Sequence, residues 1–504
     1  MPKHKRTPAV RPGRGRIAAA TAAAAALTGG LVSLSAGAAS ATPGASATQP
    51  HEADFNLDGY PDVAVSSPEA SVGGHAKAGQ ITVFYGSANG ISAAKRATLT
   101  QSSTGVPGTP ESGDLFGYVT SPGDFNRDGF TDLAVGTPYE DMPGDTDGGT
   151  VTILWGSSGG LKGGTTITDP APTSHDRFGF DVAAGDFDGD GKTDLVTADS
   201  SKSVRVFKSG IAKSGTVGSV TAVTTPVRAT SPYHLRKLTA GDVNADGKDD
   251  LVVSGNNATS DGDYLANFYL PGTASGPSAT ATATALPGGV ISDIGDINGD
   301  GFGDVVTGLT SDSSNSEGQP GTSTGGDIHV TYGSATGPDG GTTVISQDTA
   351  GVPGTGEASD LFGWEISVGD ITGDGLSDIA VGTVAEDGAA SGSGDSGAVT
   401  VLYGSASGVT GTGAQTFTQD TAGVPGTSEY KDAFGTDVLL SDFNADGRSD
   451  LAIGVGGENE GNGAVTVLKS SGGRITTTGA VSLSPSAVGV STSGTPQFGS
   501  VFGG

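Results

Sequence analysis

One nine-residue phrase occurs seven times in this chain, and few architectures can accommodate that. It reads DFNLDGYPD from Asp54, DFNRDGFTD from Asp124, DFDGDGKTD from Asp186 and DVNADGKDD from Asp242. It returns as DINGDGFGD from Asp296, DITGDGLSD from Asp370 and DFNADGRSD from Asp442. The starts lie 70, 62, 56, 54, 74 and 72 residues apart. A single copy is weak evidence, but seven at near-regular spacing identify an array of one repeated unit. The surrounding text is shared as well. Phe-Gly stands eight residues before the first Asp at Phe116, Phe178, Phe362 and Phe434. After the last Asp comes a short apolar run, such as LAVGTP from Leu133 or IAVGT from Ile379, and later an alternating segment, GTVTILWG from Gly149 or GAVTVLYG from Gly397. Short β-rich segments bounded by Gly read as strands throughout. One unit holds about four of them, the content of a propeller blade with long loops.

Composition supports strands and turns. Gly accounts for 88 of 504 residues with no collagen-like period, and apolar residues for only 34%. Asp and Glu number 55 against 25 Lys and Arg, so phosphate backbones and anionic lipid are poor partners and divalent cations good ones. Cysteine is absent, so stability must come from a large core or from bound metal. The N-terminus reads as a secretory signal. Lys3, Lys5, Arg6, Arg11, Arg14 and Arg16 precede an Ala-rich apolar run, 17–34, and small residues follow up to Ala41. Residues 1–41 are therefore expected to be a signal peptide, 42–52 a linker and 53–504 the repeat domain. Cleavage takes the formal charge from −30 to −36 and leaves a secreted, extracellular chain without membrane insertion.

The order Phe-Gly, then GD-x-N-x-DG-x-x-D, then an alternating strand resembles the FG-GAP repeats of the integrin α-chain N-terminal propeller, and similar repeats occur in bacterial secreted proteins. The resemblance covers Asp54 to the C-terminus. It implies an all-β fold, a seven-bladed β-propeller with the acidic loop joining the first and second strands of each blade. The fourth and fifth units depart most: YHLRKLTAG and GGVISDIG stand where Phe-Gly is expected, so irregular blades are anticipated there.

The acidic loops carry the chemistry. Calcium takes six to eight oxygens in flexible geometry. Loop positions one, three, five and nine supply them: Asp54, Asn56, Asp58 and Asp62; Asp124, Asn126, Asp128 and Asp132; Asp186, Asp188, Asp190 and Asp194; Asp242, Asn244, Asp246 and Asp250; Asp296, Asn298, Asp300 and Asp304; Asp370, Thr372, Asp374 and Asp378; Asp442, Asn444, Asp446 and Asp450. Gly at position six permits the sharp turn. Position twelve, where an EF-hand or dockerin loop closes its shell, is Val, Thr or Ile on an apparent strand. Up to seven calcium ions, mainly structural, are expected. The alternative is that these residues only form hydrogen-bonded turns. Thr372 should make the sixth site the weakest, and four carboxylates should make the third the strongest.

Several short motifs carry little. GDSG at 394–397 aligns with a turn before a strand in another unit, GSSGG from Gly156 lacks a following helix, and DSSNS at 312–316 lacks the doubly wound domain its metal motif needs. A recurring connector is more informative: TGVPGTPESGDLFG from Thr104, AGVPGTGEASDLFG from Ala350 and AGVPGTSEYKDAFG from Ala422. It reads as a blade connector or as a recognition rim including Glu111, Glu357 and Glu429. The leading function is an extracellular binding or adhesion-type module for protein or carbohydrate, with no catalytic residue assigned. The alternatives are a propeller hydrolase or polysaccharide lyase, for which no acid–base pair is evident outside the repeats, and a purely structural cell-surface protein. A monomer is expected. Finally, the chain ends in a Phe-Gly phrase with no loop after it, while the first loop has no Phe-Gly before it. Phe498 to Gly503 is therefore expected to form the inner strand of the first blade.

Overall fold

Each second strand carries a short apolar run, and each is buried along its whole length: Val63–Ser67, Asp132–Thr137, Asp194–Thr197, Asp250–Asn256, Asp304–Leu309, Asp378–Thr383 and Asp450–Val455. A strand of that kind needs cover on both faces. The computed structural model, which describes residues 52–228, 235–257, 265–278, 283–310, 322–389 and 392–504, shows what covers it. Seven four-stranded antiparallel sheets form, one per repeat. The inner strands pack in a closed cycle: Val501–Gly503, Val119–Gly123, Val182–Gly185, Lys237–Gly241, Ile291–Gly295, Phe362–Gly369, Phe434–Ser441, and back to Val501–Gly503. This is a seven-bladed β-propeller.

The core is divided into wedges rather than gathered at a centre. Each apolar cluster joins two neighbouring blades, as where Phe55, Ile81 and Val83 of the first blade meet Phe116, Leu133 and Leu154 of the second. Among the described residues the smallest wedge, Val243, Val252, Tyr269, Leu286, Ile294 and Val305, joins the fourth and fifth blades. Those two blades nevertheless have four strands each, so the expected irregularity does not extend to the sheet. Hydrogen bonding along the strands is backbone-borne and survives the loss of the Phe-Gly anchor.

Side chains also stitch neighbouring inner strands together. The Ala184 N–H donates to Ser121 Oγ at 3.0 Å, Leu238 N–H to Asp181 at 2.5 Å, Val368 N–H to Asp293 at 2.8 Å, Leu440 N–H to Ser367 Oγ at 2.9 Å and Phe502 N–H to Asp437 at 2.7 Å. Between the fourth and fifth blades Thr239 Oγ1 donates to the Ser292 carbonyl at 3.0 Å.

The ring closes through the C-terminus. Val501, Phe502 and Gly503 pair antiparallel with Ser66, Val65 and Ala64. The strand is shorter than expected, Val501–Gly503 rather than Phe498 to Gly503. Phe498 serves as its anchor instead. It is fully buried against Phe84, with ring centroids 6.3 Å apart, and its backbone bridges Gly463 of the seventh blade.

Candidate metal-binding loops

Six of the seven acidic phrases connect an inner strand to the second strand of its blade, and the first leads into Val63–Ser67, whose inner partner Val501–Gly503 comes from the C-terminus. Position two is apolar in every copy and fully buried: Phe55, Phe125, Phe187, Val243, Ile297, Ile371 and Phe443. These side chains plug the base of the blades and fix the loops from below, a signal present in the repeat itself. Position one then organises the turn. Asp54 accepts the Asp58 N–H at 3.1 Å and the Gly59 N–H at 2.8 Å, and Asp442 accepts those of Asp446 and Gly447 at 2.9 and 2.6 Å. Asp124, Asp186, Asp242, Asp296 and Asp370 make the same pair of bonds.

Position nine is the loop's link to the sheet. Asp62, Asp132, Asp194, Asp250, Asp304, Asp378 and Asp450 are all buried. One oxygen of each accepts the N–H of the residue leaving the third strand: Gly86, Gly156, Ser209, Gly272, Gly333, Gly404 and Ser470, at 2.7 to 2.9 Å. Burial, reinforced by the carboxylates at positions one, three or five, pushes the first six of these carboxyls up to about 7. Burial pushes Asp450 up to about 6. A buried acid crowded by like charges favours a proton or a cation.

Backbone geometry explains the glycine. At position six φ is 75–89° in all seven loops. In six of them an added Cβ would meet nothing within 4 Å, so the requirement is conformational rather than steric. Position four is also left-handed, with Leu57, Arg127, Ala245 and Ala445 at φ 55–60° where three other loops use Gly.

The loops differ in how far their ligands converge. In the third, oxygens of Asp186, Asp188 and Asp194 lie within 4.8 Å of one another. Asp190 turns away to Lys192 at 2.8 Å and Ser209 Oγ at 2.9 Å. In the second and seventh, Asn126 and Asn444 donate their amides to Asp132 and Asp450 at 2.8 and 2.9 Å. In the sixth, Thr372 Oγ1 reaches Asp370 at 3.4 Å. Lysines occupy part of the acidic field: Lys213 sits 2.8 Å from Asp128, Lys208 3.4 Å from Asp188 and Lys248 3.0 Å from Asp246. Sequence reasoning overlooked Lys208 and Lys213, because the third strand of blade three and the turn after it bring them in from outside the repeated phrase.

The recurring connectors lie at the opposite end of the blades. Gln101, Gln347 and Gln419 donate to Glu140, Glu386 and Glu458 of the following blade, each at 2.6 Å. The N–H groups of Glu111, Glu357 and Glu429 donate to Asp114, Asp360 and Asp432 at 2.6 to 2.7 Å. The GDSG segment is a turn whose Gly397 bridges Phe434, and 156–160 is a hairpin turn. Residues 312–316, like 1–41, lie outside the described residues. No helix among the described residues is long and apolar enough to cross a membrane.

Comparison with known proteins agrees with this architecture. A family model described as FG-GAP repeat matches residues 53–84, 116–154, 362–402 and 434–468. A second, FG-GAP-like repeat, matches 186–253. Phosphatidylinositol-glycan-specific phospholipase D of Rattus norvegicus is 34% identical over 145 residues, 29% of this chain and 17% of that protein. Integrin alpha-6 of Homo sapiens is 30% identical over 158 residues, 31% of this chain and 12% of that one. The matched region is thus less than a fifth of either relative's length. The solved Dos1 propeller aligns over 70% of each chain at 12% identity with a TM-score of 0.37. With FG-GAP repeats matched in the first, second, third, sixth and seventh blades and into the fourth, the findings support an FG-GAP, integrin α-like protein.

Proposed function

We propose that the chain is a secreted, calcium-stabilised propeller that serves as an extracellular binding module for protein or glycan. Residues 1–41 would be its signal peptide and 42–52 a linker. The observation that carries the calcium reading is the buried carboxylate at position nine, repeated seven times within an all-oxygen donor set. Oxygen donors of this number and flexibility suit calcium rather than a transition metal. Positions one, three, five and nine would hold the ion, helped by the position-seven carbonyl. Bound there, calcium supplies charge neutralisation and ties the loop to the end of the third strand.

Binding to the folded state alone stabilises by about 1.4 kcal/mol per site at tenfold excess over Kd. Seven sites would offset roughly 10 kcal/mol, comparable with a domain's net stability. The large acidic excess argues against nucleic acid and anionic lipid as partners. Chelator should lower the melting temperature sharply and calcium should restore it. An unchanged melt after verified metal removal would sink the proposal. Asp446→Ala should cost more stability in calcium than Thr372→Ala, and equal effects on intact folds would reverse the ranking of sites.

A further inference from the structure

The inner strands surround a channel of about 830 Å³, within the size range of small-molecule sites. Its lining follows the repeat. The residue after Phe-Gly is Tyr118, Phe180 or Trp364 in the second, third and sixth blades, and these rings stand at the mouth on the connector side. Tyr118 packs against Phe180 and Tyr139 with centroids 5.4 and 6.2 Å apart. Trp364 is 41% exposed, a large apolar face left open to solvent. One residue further along come Asp181, Lys237, Glu365 and Asp437, joined by Asp293.

We propose that the upper channel, between this aromatic mouth and the Lys237–Glu365 level below it, binds a neutral saccharide.

Two polar groups in the channel have no evident structural task. Asp181, Asp293 and Asp437 each accept a backbone N–H from the next blade. Lys237 and Glu365 stitch no blade to its neighbour. The Lys237 side chain is half-buried in the channel wall, where desolvation is outweighed by Asp181, Glu365, Asp437 and Asp293, and it makes no hydrogen bond or contact ion pair among the described residues. Its three donors need acceptors. Glu365 has a single weak bond, from the Ile366 N–H at 3.4 Å. Burial, reinforced by the nearby Asp437, raises its carboxyl well above the ordinary value.

A ligand for this space must therefore supply acceptors to Lys237, donors to the carboxyls and an apolar face to the rings. Sugar hydroxyls do the first two and a pyranose face the third. An organic cation would meet the Lys237 ammonium, and an anion would meet four carboxyls. This proposal rests on the binding-module reading and names its ligand class and site.

The test uses the mature chain in calcium, titrated with maltotriose, cellotriose, mannotriose and xylotriose. The chain has two tryptophans, and Trp155 is 7% exposed, so ligand covering Trp364 reports through tryptophan emission. At least one trisaccharide should shift emission to the blue saturably. By calorimetry, Trp364→Ala and Glu365→Gln should each weaken its binding about tenfold or more while the calcium-dependent melt stays unchanged. Lys237→Met should do the same if it folds, but the first two variants suffice for the test. No saturable response to any of the four overturns the proposal, as does stronger binding of putrescine than of every trisaccharide. Saccharide binding unaffected by both Trp364→Ala and Glu365→Gln also overturns it, while leaving the binding-module reading intact.

Discussion

At the scale of single residues, the repeated loop shows which constraints were visible and which were not. The Asp, Asn and Gly pattern could be read directly because side-chain chemistry and positive φ restrict residue choice. Position four could not, since its left-handed backbone is occupied by Leu57, Arg127 and Ala residues that announce nothing. The left-handed conformation costs a residue with Cβ about 1–2 kcal/mol, partly cancelled by glycine's greater freedom when unfolded. Ala245→Gly and Ala445→Gly should therefore each stabilise by about 0.5–1 kcal/mol in denaturant melts, against the usual direction for Ala→Gly. Position nine yields a prediction in pH. In metal-free protein the folded-state values of Asp62 and its five counterparts lie near 7, against 3.8 for the ordinary group. The folded state then holds protons that the unfolded chain releases, and stability falls as pH rises from about 4 through 7. Chelated protein should melt higher at pH 5 than at pH 8. Saturating calcium should abolish or invert that difference, as thermal melts at both pH values would show.

At the scale of elements, the inner strands depend on the turn that precedes the third strand of the blade before. Gly463 has φ +83°, and a Cβ there would lie 2.3 Å from the Phe498 carbonyl oxygen. Gly463→Ala should thus cost about 2–4 kcal/mol. The same change at Gly447, where φ is +84° but nothing lies within 4 Å, should cost only about 1–2 kcal/mol. Denaturant titration of both separates backbone strain from blade contact. Closure of the first blade was legible from the eight-residue count between Phe and Asp. Its strand length was not, because Phe498 is held by a single bridge to Gly463 and packs as an anchor while pairing begins only at Val501. The channel was not legible either. Asp181, Glu365 and Asp437 occupy one register in their repeats, but their convergence with Lys237 is visible only once the strands stand in a circle. Truncation after Gly494 should lower the melting temperature and broaden the transition by opening the blade, whereas removal of residues 42–50 should leave both unchanged.

At the scale of the molecule, stability is distributed around the ring as seven wedges in series. Such an assembly separates where the wedge is thinnest, and among the described residues that lies between the fourth and fifth blades. The same blades lack Phe-Gly, so weak anchoring and thin packing coincide. Hydrogen exchange should find amides of Lys237–Gly241 and Ile291–Gly295 less protected than those of Phe434–Ser441. Uniform protection of all inner strands would contradict this.

The closing strand also has a consequence in time. A ribosome delivers Val63–Ser67 early and its partner Val501–Gly503 only after every other blade has been made. Until then the first blade has an unpaired edge, and the ring cannot lock during synthesis. Long-range pairing of this kind slows folding. Gly504 sits beside the Asp62 carbonyl in the folded molecule, so the two regions can be joined. A circular permutant linking Gly504 to Ala53, with new ends in the connector at 105–113, would make the first blade continuous like the other six. Stopped-flow refolding should then be faster, with equilibrium stability close to that of the parent.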